Sequence, residues 1–136
     1  MTIQIVRDPR RPMRHDIHIG PNSLAVDLGV EAGGDASAPT PHDLYDAALG
    51  ACTALTVLLY ARHKSIPVAG ITVAVDRDAS QERAGIYRLR TVLTLTGELS
   101  AEQRQDLLRA AEKCPVHKLM TDVTTEIATT LAPPNG

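Results

Sequence analysis

The sequence predicts an α+β fold: a mostly antiparallel sheet around one long, buried central helix. Three observations predict it. Short strand patterns come in adjacent runs rather than alternating one-for-one with helices. A helical pattern of about 20 residues near the middle carries few strongly polar positions. Turn residues between neighbouring strands favour hairpins over crossovers.

The elements follow in chain order. Residues 2–6 read as a short strand, and the charged stretch 7–13, with Pro9 and Pro12, reads as a loop. Residues 16–19 and 24–28 are two strands around a Gly20-Pro21-Asn22-Ser23 turn. Residues 33–40 are small and polar and form a loop. Thr40 then suits a helix N-cap, Pro41 the first helical position, and Asp43 completes a T-x-x-D capping pattern. The helix runs to about residue 64, before Pro67, for roughly 30 Å at ~1.5 Å per residue. Leu44, Ala48, Cys52, Leu55 and Leu59 share one stripe, widened by Ala47, Ala51, Leu58 and Ala61. This helix is expected to be buried on most sides.

Residues 70–76 alternate Ile71, Val73 and Val75 and read as a strand, and 77–85 as a charged loop. Residues 87–96 form a longer strand, with Leu89, Leu93 and Leu95 on one face. A turn at Gly85 makes a hairpin of the two. Ser100 and Gln103 form a second capping box for a helix carrying Leu107, Leu108, Ala110 and Ala111. Pro115 starts a further short helix with Cys114 at its N-cap. A final strand is expected over 123–129 and a tail over 132–136. The expected order is β-β-β-α-β-β-α-α-β, in a single domain spanning 1–136.

Composition excludes several functions. The chain has 136 residues, enough to bury a core without staples. It has no Phe, no Trp and three Tyr, so stacking platforms for nucleic-acid bases are nearly absent. Net charge is −2, and although Arg7, Arg10, Arg11 and Arg14 cluster near the N-terminus, no basic stripe stands out. Nucleic acid is not an expected partner. No apolar run approaches the ~20 residues that span a bilayer, and no signal-peptide core is evident, so no membrane partner and a cytoplasmic location are expected. Disulfides in that compartment are usually transient and catalytic or redox-sensing.

That makes the two cysteines, 62 positions apart, the residues of most interest. Cys52 lies mid-helix, where it reads either as a small core hydrophobe or as a thiol activated by a neighbour. Cys114 sits at a helix N-terminus, where free N–H groups favour a thiolate, so local physics points to Cys114 as the more acidic of the two. A zinc reading from Cys114-x-x-His117 with His42 and Cys52 has only half a motif behind it. Gly33-Gly34 matches no phosphate-binding fingerprint.

Gly33-Gly34, Ala38-Pro39-Thr40-Pro41-His42-Asp43-Leu44, Ala47-Ala48-Leu49-Gly50-Ala51-Cys52-Thr53 and Glu112-Lys113-Cys114-Pro115-Val116-His117 together resemble the OsmC/Ohr family of thiol-dependent hydroperoxide reductases. The likeness runs in order from about residue 17 to 129 and leans to the general OsmC-like branch. It implies an OsmC-like fold, an intertwined homodimer with active sites between subunits, and a peroxidatic Cys52 with a resolving Cys114. That assignment reverses the local reading of the two thiols. It further implies hydroperoxide substrates, an external lipoyl-type dithiol reductant, no bound cofactor or metal, and a part in oxidative-stress defence. An activating arginine is expected from the N-terminal hairpin; Arg14 fits best, with Arg11 and Arg10 as alternatives. The family's glutamate position, ten residues before the cysteine, is His42 here, and the neighbouring Asp43 is the acidic candidate to replace it. Two other readings of the same fold are a non-catalytic module binding a small hydrophobic ligand and a redox sensor.

Overall fold

The structure is a computed structural model and describes residues 1–134; residues 135 and 136 of the expected tail lie outside the described residues. Three strands, β1 (Ile3–Arg7), β2 (His15–Ile19) and β3 (Asn22–Val26), precede the long helix α1 (Pro41–His63). Strands β4 (Gly70–Asp78) and β5 (Arg88–Thr96) follow, then helices α2 (Ala101–Ala111) and α3 (Pro115–Thr121). The chain divides into two compact units, one made of Met1–Gly50 and Ala74–Val92, the other of Ala51–Val73 and the chain from Leu93 onward.

In the first unit, β1, β2 and β3 form an antiparallel meander in that order. Ile19 pairs directly with Asn22, so the turn between β2 and β3 is only Gly20-Pro21, tighter than the four residues expected. Gly20 supplies the left-handed conformation, φ 56°, that such a turn requires. The following loop is organised by Asp27, which is buried and accepts hydrogen bonds from the Ser37 N–H at 3.0 Å and the Ser37 hydroxyl at 2.6 Å. Helix α1 then opens as its sequence demands. The Thr40 N–H donates to Asp43 Oδ2 at 3.0 Å, and the Asp43 N–H donates to Thr40 Oγ1 at 3.2 Å. This reciprocal cap satisfies two donors that a bare helix start would leave open.

The second unit carries the aliphatic core that the aromatic-poor composition requires. Val57 and Ala61 of α1 pack with Leu107 and Ala111 of α2, and Ile66, Val68, Ile71, Leu93 and Leu95 close around them. Full burial of a side chain such as Leu107 stabilises by roughly 1.5–3 kcal/mol. Helix α1 ends one residue earlier than expected, where Ser65 turns left-handed at φ 56° and the Ile66 N–H reaches back to the Ala61 carbonyl at 2.8 Å. The α2 capping box forms with both of its bonds, Gln103 N–H to Ser100 Oγ and Ser100 N–H to Gln103 Oε1.

Strands β4 and β5 pair as a hairpin. Strand β4 runs two residues beyond expectation, taking in Arg77 and Asp78.

Further expectations need correcting. No strand forms over 123–129: this stretch has no regular pairing, and Val123 and Ile127 are exposed. Its alternating, β-branched composition fits a strand but supplies no partner. The second correction concerns α1. The expected apolar stripe is not its buried face, for Leu55 is 62% exposed and Leu59 66%. The buried stripe is instead Asp46, Gly50, Thr53, Val57 and Ala61. Polar Asp46 and Thr53 disguised it in the sequence. With leucines outside and small residues inside, α1 is apolar around most of its girth. Over an 18-residue window its mean hydropathy is 1.5, so by length and composition alone it would reach across a membrane, contrary to the expectation that no run does.

Candidate functional site

Two groups of chemistry-bearing side chains stand out, one in each unit. The first is the thiol pair. Helix α1 holds Cys52 at mid-length, half-buried, while Cys114 is the N-cap of α3 with Pro115 in its first turn and is 1% exposed. Both thiols are free. Thr56, one helical turn beyond Cys52, brings its hydroxyl to 3.9 Å from the sulfur. Burial pushes the Cys52 thiol up, but hydrogen bonds from the Cys114 thiol, the Val116 N–H and the Thr56 hydroxyl outweigh it, and the net shift is downward. Cys114 moves the opposite way. Burial and its bond to Cys52 raise it, and the His117 and Val116 N–H groups offset this only in part.

The local expectation that Cys114 is the more acidic thiol is therefore corrected. A helix start does favour a thiolate there, but the Val116 N–H of that start also serves Cys52, and Cys114 is both buried and a donor to its neighbour. Cys114 makes no side-chain capping bond. A thiolate-prone sulfur beside a proton-bearing one is the arrangement in which a dithiol can pass to a disulfide and carry two electrons.

The second group lies in the first unit, around Arg77. Its Nε donates to Asp46 Oδ2 and its Nη2 to Asp43 Oδ1, each at 2.5 Å. These two carboxylates raise the guanidinium further above its ordinary value. Asp43 is lowered, by the Thr40 backbone bond first and then by Arg77. Tyr87 donates its hydroxyl to the other oxygen of buried Asp46 at 2.7 Å. Burial, then Asp46, push the Tyr87 phenol up to about 12. His42 Nε2 lies 3.0 and 3.1 Å from the two Glu82 oxygens, an exposed pair.

Of the residues singled out in the sequence, Cys52 and Cys114 meet. Arg14 and Asp43 both lie in the first unit but serve different neighbours: Arg14 Nη1 donates to the Ser37 carbonyl and hydroxyl, both at 2.9 Å, whereas Asp43 caps α1 and holds Arg77. Arg10 pairs with Asp8, and Arg11 with Asp35 at 3.6 Å. Among the described residues no group of three or more His, Cys, Asp and Glu gathers that could hold a metal ion, and His117 and His42 do not complete a cysteine site. Sequence reasoning missed Thr56, Asp46, Arg77, Glu82 and Tyr87. The one available signal was that Tyr45 and Tyr87 are two of only three aromatic residues in the chain.

Residues 33–128 match the model of the family described as OsmC-like protein. The chain belongs to the OsmC-like family. Its fold agrees with solved structures bearing that name or related ones. An OsmC-like protein from Mycoplasma pneumoniae superposes with a TM-score of 0.72 at 17% identity, covering 90% of this chain and 87% of its own. A Psychrobacter arcticus 273-4 protein named for osmotic stress induction and a detoxification response gives 0.75 at 23% identity, with 90% and 89% covered. An organic hydroperoxide resistance protein, OsmC, from Legionella pneumophila gives 0.63 at 21%, with 90% of each chain covered. No curated protein sequence matches the chain. At these identities the likeness establishes an OsmC-like fold, with antiparallel sheets and helices, for this member of the family.

Proposed function

We propose that this OsmC-like protein is a thiol-dependent peroxidase that reduces organic or small hydroperoxides to alcohols. The observation that carries the reading is the meeting of the two free thiols, Cys114 at the head of α3 donating to Cys52 on α1, with Cys52 lowered and Cys114 raised. The nucleophile must be a thiolate, whereas the resolving thiol must wait until the first has reacted.

In this reading the Cys52 thiolate attacks the terminal oxygen of R–O–OH. The O–O bond breaks, Cys52 becomes a sulfenic acid, and the RO⁻ leaving group takes a proton to give the alcohol. The Cys114 sulfur then attacks the Cys52 sulfur, forms the disulfide and expels water. An external dithiol of the lipoyl type returns the pair to two thiols by exchange and is itself oxidised to a disulfide. No bound cofactor or metal enters. The setting is oxidative-stress defence in the cytoplasm.

The same reading has the protein act as an intertwined homodimer, with Arg14 and Asp43 brought to the thiols across the subunit interface. The exposed leucines of α1 support it, since a second copy would cover a face that single-chain folding leaves in water. The unpaired stretch around Ile127, 84% exposed, offers a strand to the same partner.

The test is a single turnover. Wild-type protein given one equivalent of an organic hydroperoxide should lose both free thiols and yield an intrachain Cys52–Cys114 disulfide by mass spectrometry. Cys52→Ser should consume none. Peroxide loss at the wild-type rate in Cys52→Ser would overturn the reading.

A further inference from the structure

The first unit holds a cavity of about 400 Å³ lined by Pro41, His42, Tyr45, Glu82 and Tyr87. Its walls are aromatic in a chain that is otherwise nearly without aromatic residues. Tyr45 and Tyr87 meet edge to face, with centroids 6.1 Å apart and planes at 63°. His42 and Tyr87 do the same at 5.9 Å and 65°. Three rings thus line one hollow. In the single chain Tyr45 is 48% exposed.

The walls are fixed from behind. The Tyr87 hydroxyl is tied to buried Asp46, which Arg77 holds from its other oxygen. Among the described residues the lining carboxylate is Glu82, whose two oxygens lie 3.0 and 3.1 Å from His42 Nε2. Among the described residues no Lys or Arg lines the cavity. An aromatic hollow with a carboxylate at its rim and no lining Lys or Arg among the described residues disfavours anions. It suits a cation that carries its own apolar surface, because ring faces attract positive charge and the carboxylate adds to that attraction.

We propose that this pocket binds a small alkylated ammonium ion. The ion's methyl groups pack on the Tyr45 and Tyr87 faces while Glu82 balances its charge. The cavity lies within the size range of small-molecule sites and takes the whole ion. The inference does not rest on the thiol chemistry.

Calorimetric titration of the full chain with choline, and with its neutral isostere 3,3-dimethylbutan-1-ol, tests it. Choline should bind about tenfold more tightly than the isostere, which has the same shape without the charge. Tyr45→Ala and Glu82→Gln, both at exposed positions, should each weaken choline binding by about the same factor. Tyr45→Phe keeps the ring and should keep the affinity. Equal binding of the two probes would make the cavity merely apolar and overturn the proposal. So would undetectable choline binding at millimolar concentration, or an unchanged affinity in Tyr45→Ala.

Discussion

The Cys114 thiol donates to the sulfur of Cys52, and the two acidities move apart: Cys52 is lowered from its ordinary value and Cys114 is raised. Only the thiolate alkylates, so Cys52 should react first with iodoacetamide at neutral pH. Its rate should fall as pH drops through a midpoint lowered from that of an ordinary thiol. Cys114, 1% exposed, should label slowly until the chain unfolds. Peptide mapping after timed quenching reads both, and equal labelling rates would contradict the separation.

The donors around Cys52 can be removed one at a time. Thr56→Val deletes a hydroxyl and Cys114→Ala deletes the neighbouring thiol. Each should move the alkylation midpoint of Cys52 upward, because the thiolate loses a hydrogen bond that favours it. Cys114→Ala should move it further, as its bond has the greater weight of the two. Cys114→Ser should also stop after one turnover of hydroperoxide and leave a sulfenic acid that dimedone traps.

The exposed face of α1 makes a prediction about assembly. Leu55→Glu and Leu59→Glu place charge where the proposed dimer would bury leucine. The wild type should scatter light as a dimer and each variant as a monomer with unchanged helix content by circular dichroism. A wild type that is monomeric at micromolar concentration would remove the intertwined dimer from the account.

Stability separates the core from the polar anchor. Leu107 of α2, fully buried against Val57 and Ala61 of α1, should cost about 2–5 kcal/mol when cut to alanine. Tyr87→Phe leaves one oxygen of buried Asp46 without its phenol donor and should cost about 1 kcal/mol. Urea unfolding followed by circular dichroism distinguishes them.

Much of this was legible in the sequence, for reasons that are local. Thr40 with Asp43 and Ser100 with Gln103 announce helix starts because their bonds span only three residues. The alternation in β4 and β5 is equally short-range. The unread features depend on distant chain. Asp46 looks like a solvent-facing helix residue until Arg77, 31 positions on, and Tyr87 arrive to satisfy it. The buried stripe of α1 was hidden for the same reason. Residues 123–129 carry a strand's alternation, but a strand also needs an edge to pair with. At the site, the family likeness named both cysteines, whereas local helix physics ranked their acidities in the wrong order. The N–H that matters most for Cys52 comes from Val116, on another element.

The 62 positions between the two sulfurs have a thermodynamic consequence. A bond between them would close a ring running from the middle of α1 through β4, β5 and α2 to the head of α3. Tying a ring of that length removes unfolded-chain freedom worth roughly 4 kcal/mol on the chain-entropy account. The oxidised chain should therefore melt well above the reduced one. A calorimeter would then read the redox state as a temperature, with no chromophore or label.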